Sequence, residues 1–242
     1  MIPKIIWQTY KDPFDSLTPY MYEAIDTWKN LNPEYEHRYM DDKQAAEFVL
    51  NEFGQEWYDI FINVPVGVMR GDLWRYMIIY KYGGVYADLD TVCLNPIDNW
   101  MNDEYDMIVC PENDMHFCQW TFAAAPGSPI IKSVLDYIKK GFQNPNYDQD
   151  HFVHILTGPD AWTNGIKNIL NIEDKVRLTE AQVLLDSLPN AKLYKFKCYT
   201  GENWRIFHFI DVKHLYGSQN WNDGRYVQWI QDDLVTKNKF FT

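Results

Sequence analysis

The apolar and polar positions along the chain alternate in two rhythms, one suited to strands and one to helices. Lys4–Tyr10 (KIIWQTY) is a run of strand formers, among them Ile5, Ile6, Trp7 and Thr9, and Lys11-Asp12-Pro13 breaks it. TPYMYEAIDTWKNLNP then predicts a helix that Thr18 caps, Pro19 opens and Asn32-Pro33 ends. YEHRYM predicts a second strand. DDKQAAEFVLNEF predicts a helix with Asp41 or Asp42 at its start and Gly54 at its end. In PVGVMRGDLWRYMIIYKYGG, Met69, Leu73, Tyr76, Met77 and Tyr80 recur at spacings of three and four, and Gly83 stands where a helix closes. A strand begins at Gly84. YDMIVCPE and QWTFAAAP predict two more, SPIIKSVLDYIKKG a capped helix, and TGPDAWTNGIKNIL a tight turn entering a helix.

The last third alternates strand-like runs (KVRLTEAQVLL, KLYKFKCY, RIFHFI) with loops. Strands interleaved with helices indicate the α/β class, and the later strands make its central sheet mixed. No repeat or linker interrupts the chain, so a single domain over residues 1–242 is expected.

GGVYADLDT, Gly83–Thr91, carries the sharpest chemistry. A side-chain period of two puts Val85, Ala87 and Leu89 on one face and Tyr86, Asp88 and Asp90 on the other. Two neighbouring carboxylates repel unless something positive lies between them, and a hard divalent cation, Mg²⁺ or Mn²⁺, satisfies that need with oxygen ligands. Gly84 permits a sharp turn out of the preceding helix. The strand then delivers both carboxylates to its C-terminal end, where ligands bind in open α/β sheets. Upstream, Asp72 and Arg75 lie three apart on one helix face. They read either as a surface ion pair or as a sugar-gripping pair, the Asp accepting from hydroxyls and the Arg donating to oxygens.

Asp72-Leu73-Trp74-Arg75 followed by GGVYADLDT resembles the signature of the DXD-containing glycosyltransferases of family 32, the mannosyltransferase and α1,4-galactosyltransferase group. It is distantly similar to the catalytic domain of the large clostridial glucosylating toxins. IPKIIWQTY resembles that group's first strand, and TGP (Thr157–Pro159) and HLYGSQNW (His214–Trp221) extend the likeness. The resemblance implies a GT-A fold, a nucleotide-binding α/β sandwich, and retaining transfer from a nucleotide-sugar donor. It implies Mn²⁺ (or Mg²⁺) bound by Asp90 directly, by Asp88 through water, and by His214, for which His208 is a rival. Asp72, Arg75 and Asp88 would act on the donor sugar. Trp7, which stands where the group mostly has His, would stack on the base with Gln8 and Thr9 beside it, favouring a UDP-sugar over GDP-mannose. Ser218 and Trp221 would reach the pyrophosphate, although two residues separate them where the group reads GSW. Gly158, Pro159 and Asp160 would line the sugar and acceptor side, Asp160 standing where an uncharged residue is expected. The acceptor would be a glycan or glycolipid, as in polysaccharide biosynthesis.

Composition narrows these readings. In 242 residues, 46% are hydrophobic and 17% aromatic, enough for a substantial core. The net charge of −12 and the lack of a basic stripe argue against a nucleic-acid partner. Cys93, Cys110, Cys118 and Cys198 show neither a CxxC nor paired zinc spacing, and reduced, buried thiols are expected. No signal-peptide pattern and no run of eighteen apolar residues is visible, so a cytoplasmic enzyme without a transmembrane segment is expected.

Two other functions fit parts of the pattern. DLDTV matches the DxDx[T/V] nucleophile motif of haloacid-dehalogenase-like phosphatases, but that motif normally opens its domain and gives the D-x-x-R helix no role. A non-catalytic carbohydrate-binding module would use the aromatics and a cation alone.

Overall fold

The computed structural model describes residues 1–179, 185, 187–198 and 212–214. Among them the strands β1 (Ile5–Thr9), β2 (Glu36–Met40), β3 (Gly84–Ala87), β5 (Met107–Val109), β6 (Thr121–Ala124) and β7 (Phe196–Cys198) form one mixed sheet in the order β2-β1-β3-β6-β5-β7. The strands β1, β2 and β3 run parallel, β6 is antiparallel to both β3 and β5, and β7 is parallel to β5. A separate ladder pairs β4 (Thr91–Cys93) with β8 (Val212–His214). This is the mixed α/β sandwich of the GT-A kind that the sequence led us to expect.

Both sheet faces are covered. Val85 and Ala87 join one apolar cluster with Ile6, Ile108 and Ala123, while Tyr86 joins another with Trp7, Phe122 and Ala124. Burial on both faces explains why these strands read as near-continuous apolar runs. Helices α1 (Pro19–Leu31), α2 (Asp42–Phe53), α4 (Gly67–Tyr82), α5 (Pro129–Gly141) and α7 (Pro159–Leu170) lie where their patterns predict. Their ends follow local chemistry. The Thr18 side chain accepts from the Met21 amide, and Asp41 with Gln44 forms a reciprocal capping box. Three short helices, α3 (Gln55–Asn63), α6 (Phe152–Leu156) and α8 (Pro189–Leu193), add to them.

The predicted strand KVRLTEAQVLL is corrected, since its described start, 176–179, is loop and turn. KLYKFKCY is strand only over Phe196–Cys198, its beginning belonging to α8. RIFHFI lies outside the described residues. All four cysteines are buried. None of the described helices is long and apolar enough to cross a membrane.

Helix α4 and β3 are joined by Gly83 at φ +67 and Gly84 at φ +109, a region that disfavours side chains. A Cβ at Gly83 would meet Pro126 Cδ at 2.6 Å, and one at Gly84 would meet the Ile5 carbonyl oxygen at 2.6 Å. The two glycines therefore let α4 turn directly into the middle of the sheet, with β3 held tight against β1.

Candidate active site

Helix α4 is buried nearly all round. Asp72, Leu73, Trp74, Arg75 and Tyr76 are consecutive and all buried, so its apolar period alone understates how central it is. Asp72 and Arg75 are not a surface pair: their side chains are 2% and 7% exposed. Arg75 Nη2 lies 3.4 Å from Asp72 Oδ1 and 3.2 Å from Asp88 Oδ1. Its Nη1 donates to the Gln119 carbonyl at 3.1 Å, and its guanidinium sits 4.8 Å over the Tyr86 ring. One buried cation thus bridges the D-x-x-R helix and the first aspartate of the DXD sequence.

The surrounding groups lock the arrangement. Thr157 Oγ1 donates to Asp72 Oδ2 at 2.9 Å. The Tyr86 hydroxyl donates to Asp88 Oδ1. The Tyr76 hydroxyl donates to the Thr157 carbonyl at 2.9 Å, reaches Gln119 Oε1 as well, and the Tyr76 ring stacks on Trp162 at 5.0 Å. Burial pushes the Asp72 carboxyl up to about 6, against the pull of Arg75 and the Thr157 hydrogen bond. Burial alone would lower Arg75, but Asp88, Tyr86 and Asp72 more than reverse this and keep it charged. Burial, and then the neighbouring Asp88, hold the Tyr86 phenol well above its ordinary value, so it stays a donor.

Both aspartates lie beyond the strand. Strand β3 ends at Ala87. Three donors then converge on the Asp88 carbonyl: the Thr91 amide at 3.1 Å, Thr91 Oγ1 at 2.5 Å and Gln8 Nε2 at 3.3 Å. They close a turn over Asp88–Thr91, while the Asp88 amide donates to the Trp120 carbonyl at 2.8 Å. The expectation that strand alternation sets Asp88 and Asp90 on one face is therefore corrected: both lie on the turn after the strand, and both are partly exposed.

Trp7 is also corrected. It is 1% exposed, its Nε1 donates to the Gly83 carbonyl at 2.9 Å, Tyr82 stacks on it at 5.8 Å and Arg38 lies 5.1 Å over its ring. A ring so enclosed packs the core and offers no face to a base. Gln8 is fully buried between His37 Nε2, 2.8 Å from its Oε1, and the Asp88 carbonyl. It positions the DXD turn from behind. Burial, and then Lys29, push the His37 imidazole down to about 4, so it stays neutral. Thr9 Oγ1 donates to the Met40 carbonyl at 2.7 Å, at the end of the β1–β2 ladder.

The Thr157–Pro159 turn packs against the site through Thr157. Gly158 precedes α7 and Pro159 opens it; a Cβ on Gly158 would meet His154 Cα at 2.9 Å. Asp160 Oδ1 lies 2.6 Å from His116 Nε2. That hydrogen bond holds the Asp160 carboxyl below its ordinary value.

His214 pairs with Thr91 in the β4–β8 ladder, which puts its backbone beside the DXD turn. Ser218, Trp221 and the rival His208 lie outside the described residues. A hard cation suits the residues present: two carboxylates within one short turn supply oxygen donors. Among the described residues, no three ligating side chains converge, so Asp88 and Asp90 are the protein oxygens that would meet it. Sequence reasoning missed Gln119, Tyr76 and His37. They act through hydrogen bonds between distant segments, and no local pattern marks them.

The family model described as "Glycosyltransferase sugar-binding region containing DXD motif" matches residues 18–106. The chain is 34% identical over 197 residues to an initiation-specific alpha-1,6-mannosyltransferase of Schizosaccharomyces pombe, covering 70% of this chain and 49% of that protein. It is 27% identical over 237 residues to the Candida albicans protein of the same name, covering 82% and 60%. It is 26% identical over 219 residues to inositol phosphoceramide mannosyltransferase 1 of Schizosaccharomyces pombe, covering 87% and 66%. The chain thus spans about half to two thirds of the length of these relatives. Among solved structures, the PaToxG glycosyltransferase superposes with a TM-score of 0.54 at 18% identity, covering 80% of this chain and 78% of that one, a likeness of fold.

Proposed function

We propose that this chain, whose residues 18–106 match the model of the glycosyltransferase sugar-binding region containing a DXD motif, transfers a mannosyl group. The donor would be a nucleoside-diphosphate sugar and the acceptor a hydroxyl of a glycan or glycolipid. The observation that carries this reading is the buried Arg75 held between Asp72 and Asp88. It joins the two motifs into one site at the end of β3, where open α/β sheets bind ligands. The preference for a UDP-sugar rested on Trp7 as a base platform, and Trp7 is enclosed. The names of the relatives, which are mannosyltransferases, favour GDP-mannose instead.

In this reading the partly exposed Asp88 accepts hydrogen bonds from donor-sugar hydroxyls, and the buried Asp72 and Arg75 behind it hold that carboxylate in place. Arg75 fixes both carboxylates, so little reorganisation is needed when the bond breaks. The C1–oxygen bond to the diphosphate cleaves, and the acceptor oxygen forms its bond to C1 on the same face. The acceptor proton passes to the departing phosphate oxygen, so no protein base is required. A divalent cation held by Asp88 and Asp90 would neutralise charge growing on the diphosphate. The phosphatase reading fits poorly, because the Asp88 carboxylate it needs as a nucleophile is engaged by Arg75 and Tyr86.

The test is turnover of a panel of GDP- and UDP-sugars with Mn²⁺, following nucleotide release. GDP-mannose turnover that needs the cation and fails in Asp90→Ala supports the proposal. Hydrolysis of a generic phosphomonoester with no sugar-nucleotide turnover overturns it.

A further inference from the structure

The segment His116–Trp120 runs as a strap from the surface to the buried site, and each residue in it is tied down. Met115, just before it, is 66% exposed, whereas Phe117 and Cys118 are fully buried. The Phe117 amide donates to Thr163 Oγ1 at 3.0 Å, and the Cys118 carbonyl accepts from Trp162 Nε1 at 3.1 Å. The Gln119 carbonyl takes Arg75, and the Trp120 carbonyl takes the Asp88 amide. At its outer end His116 meets Asp160, with side chains 18% and 35% exposed. Four residue steps separate His116 from Trp120, so their Cα atoms lie at most ~14 Å apart. That is a separation of the order of a disaccharide.

We infer that His116 and Asp160 form the acceptor clamp of this site, binding vicinal hydroxyls of a pyranose acceptor. The inference rests on the proposed transferase reading and adds to it a residue, His116, and a ligand chemistry. A sugar hydroxyl both donates and accepts, and two adjacent hydroxyls need both partners side by side. Beyond the 2.6 Å bond between them, Asp160 keeps its second carboxylate oxygen as an acceptor and His116 its Nδ1 as a polar partner, and at a partly open surface neither must be dug out of the core. The strap makes this placement rigid, because it is bonded at successive residues to α7, α4 and the Asp88 turn. His154, on α6 one turn before Thr157, stands near Asp160 and His116, and burial lowers its basicity so that it adds no fixed charge to the clamp.

The experiment separates donor from acceptor use. Wild type, His116→Asn and Asp160→Asn are incubated with GDP-mannose and Mn²⁺, and both free mannose and transfer to methyl α-D-mannopyranoside are followed as the acceptor is raised. Hydrolysis by the variants reports that they are folded and hold donor. The expected result is a rise of about tenfold in acceptor KM in both variants, with kcat at saturating acceptor changed far less, so that the transfer-to-hydrolysis ratio falls at fixed acceptor. Acceptor KM within twofold of wild type in both variants, or no acceptor dependence in a wild type that hydrolyses the donor, overturns the clamp and leaves the transferase reading standing. No turnover of any sugar nucleotide by wild type overturns both.

Discussion

Two clusters built on carboxylates sit at opposite ends of the His116–Trp120 strap, and burial makes them different objects. At the inner end Arg75 and Asp72 are enclosed and Asp88 is partly so, and each charge is held by another and by Thr157, Tyr86 or a carbonyl. At the outer end His116 and Asp160 share one hydrogen bond and a partly open surface. Removing a partner from the inner cluster strands a buried charge, which is costly. Removing one from the outer cluster lets water replace it. The inner cluster therefore fixes geometry, and the outer one is available to a ligand.

The largest test of this contrast is Arg75→Ala. It should cost about 3–5 kcal/mol of folding stability by denaturant titration, because Asp72 loses its counter-charge in the core, and sugar-nucleotide turnover should vanish with it. A loss under 1 kcal/mol would break the contrast. Next, Asp90→Ala should lower cation-dependent turnover by about 100-fold or more while leaving the melting midpoint nearly unchanged, since Asp90 lies on a partly exposed turn. An unfolded variant would show that the turn is structural.

Asp72 gives the comparison a pH axis. Its carboxyl is raised from 3.8 to about 6 in the folded protein. Between those values the folded state keeps a proton that the unfolded state has lost, so this group's favourable contribution is full below the unfolded value. It disappears as pH rises through the folded one. Relative to Asp72→Asn, wild type should thus lose up to roughly 3 kcal/mol between pH 4 and 7.5, and turnover should fall as pH drops below about 6 because the carboxylate is protonated. A stability difference between the two proteins that stays flat over that range would sink the assignment. Thr157→Val removes one hydrogen bond to Asp72 and should cost about 1.5–3 kcal/mol in thermal unfolding. The smallest effect belongs to the outer pair: Asp160→Asn should change stability by less than ~1 kcal/mol.

Much of the fold was legible because it is locally encoded. Thr18, the Asp41–Gln44 box, Ser128 and the Gly83–Gly84 pair mark element ends by their own chemistry, and the structure uses all of them. The D-x-x-R and DXD residues were legible as a set, and Asp72 and Asp88 do meet at Arg75. Trp7 misled because a strand-borne aromatic looks the same in sequence whether it faces a ligand or Tyr82. The common face for Asp88 and Asp90 failed because the Thr91 side chain ends the strand at a point where periodicity shows no break. The strap was invisible for a different reason. Its contacts run through carbonyls and amides to partners 44 to 46 residues away, and backbone groups carry no sequence signature.

The β4–β8 ladder gives the site an order of assembly. Asp72, Arg75 and Asp88 are gathered by segments that leave the ribosome early, through β1, α4, β3 and the strap. Thr91 finds its strand partner, His214, only after a long further stretch of chain has emerged. Pairings so distant in sequence form late, because a large loop must close before they are rewarded. The buried half of the candidate site thus exists before the strand that flanks the DXD turn, and a nascent chain can be folded at its centre well before that site is complete.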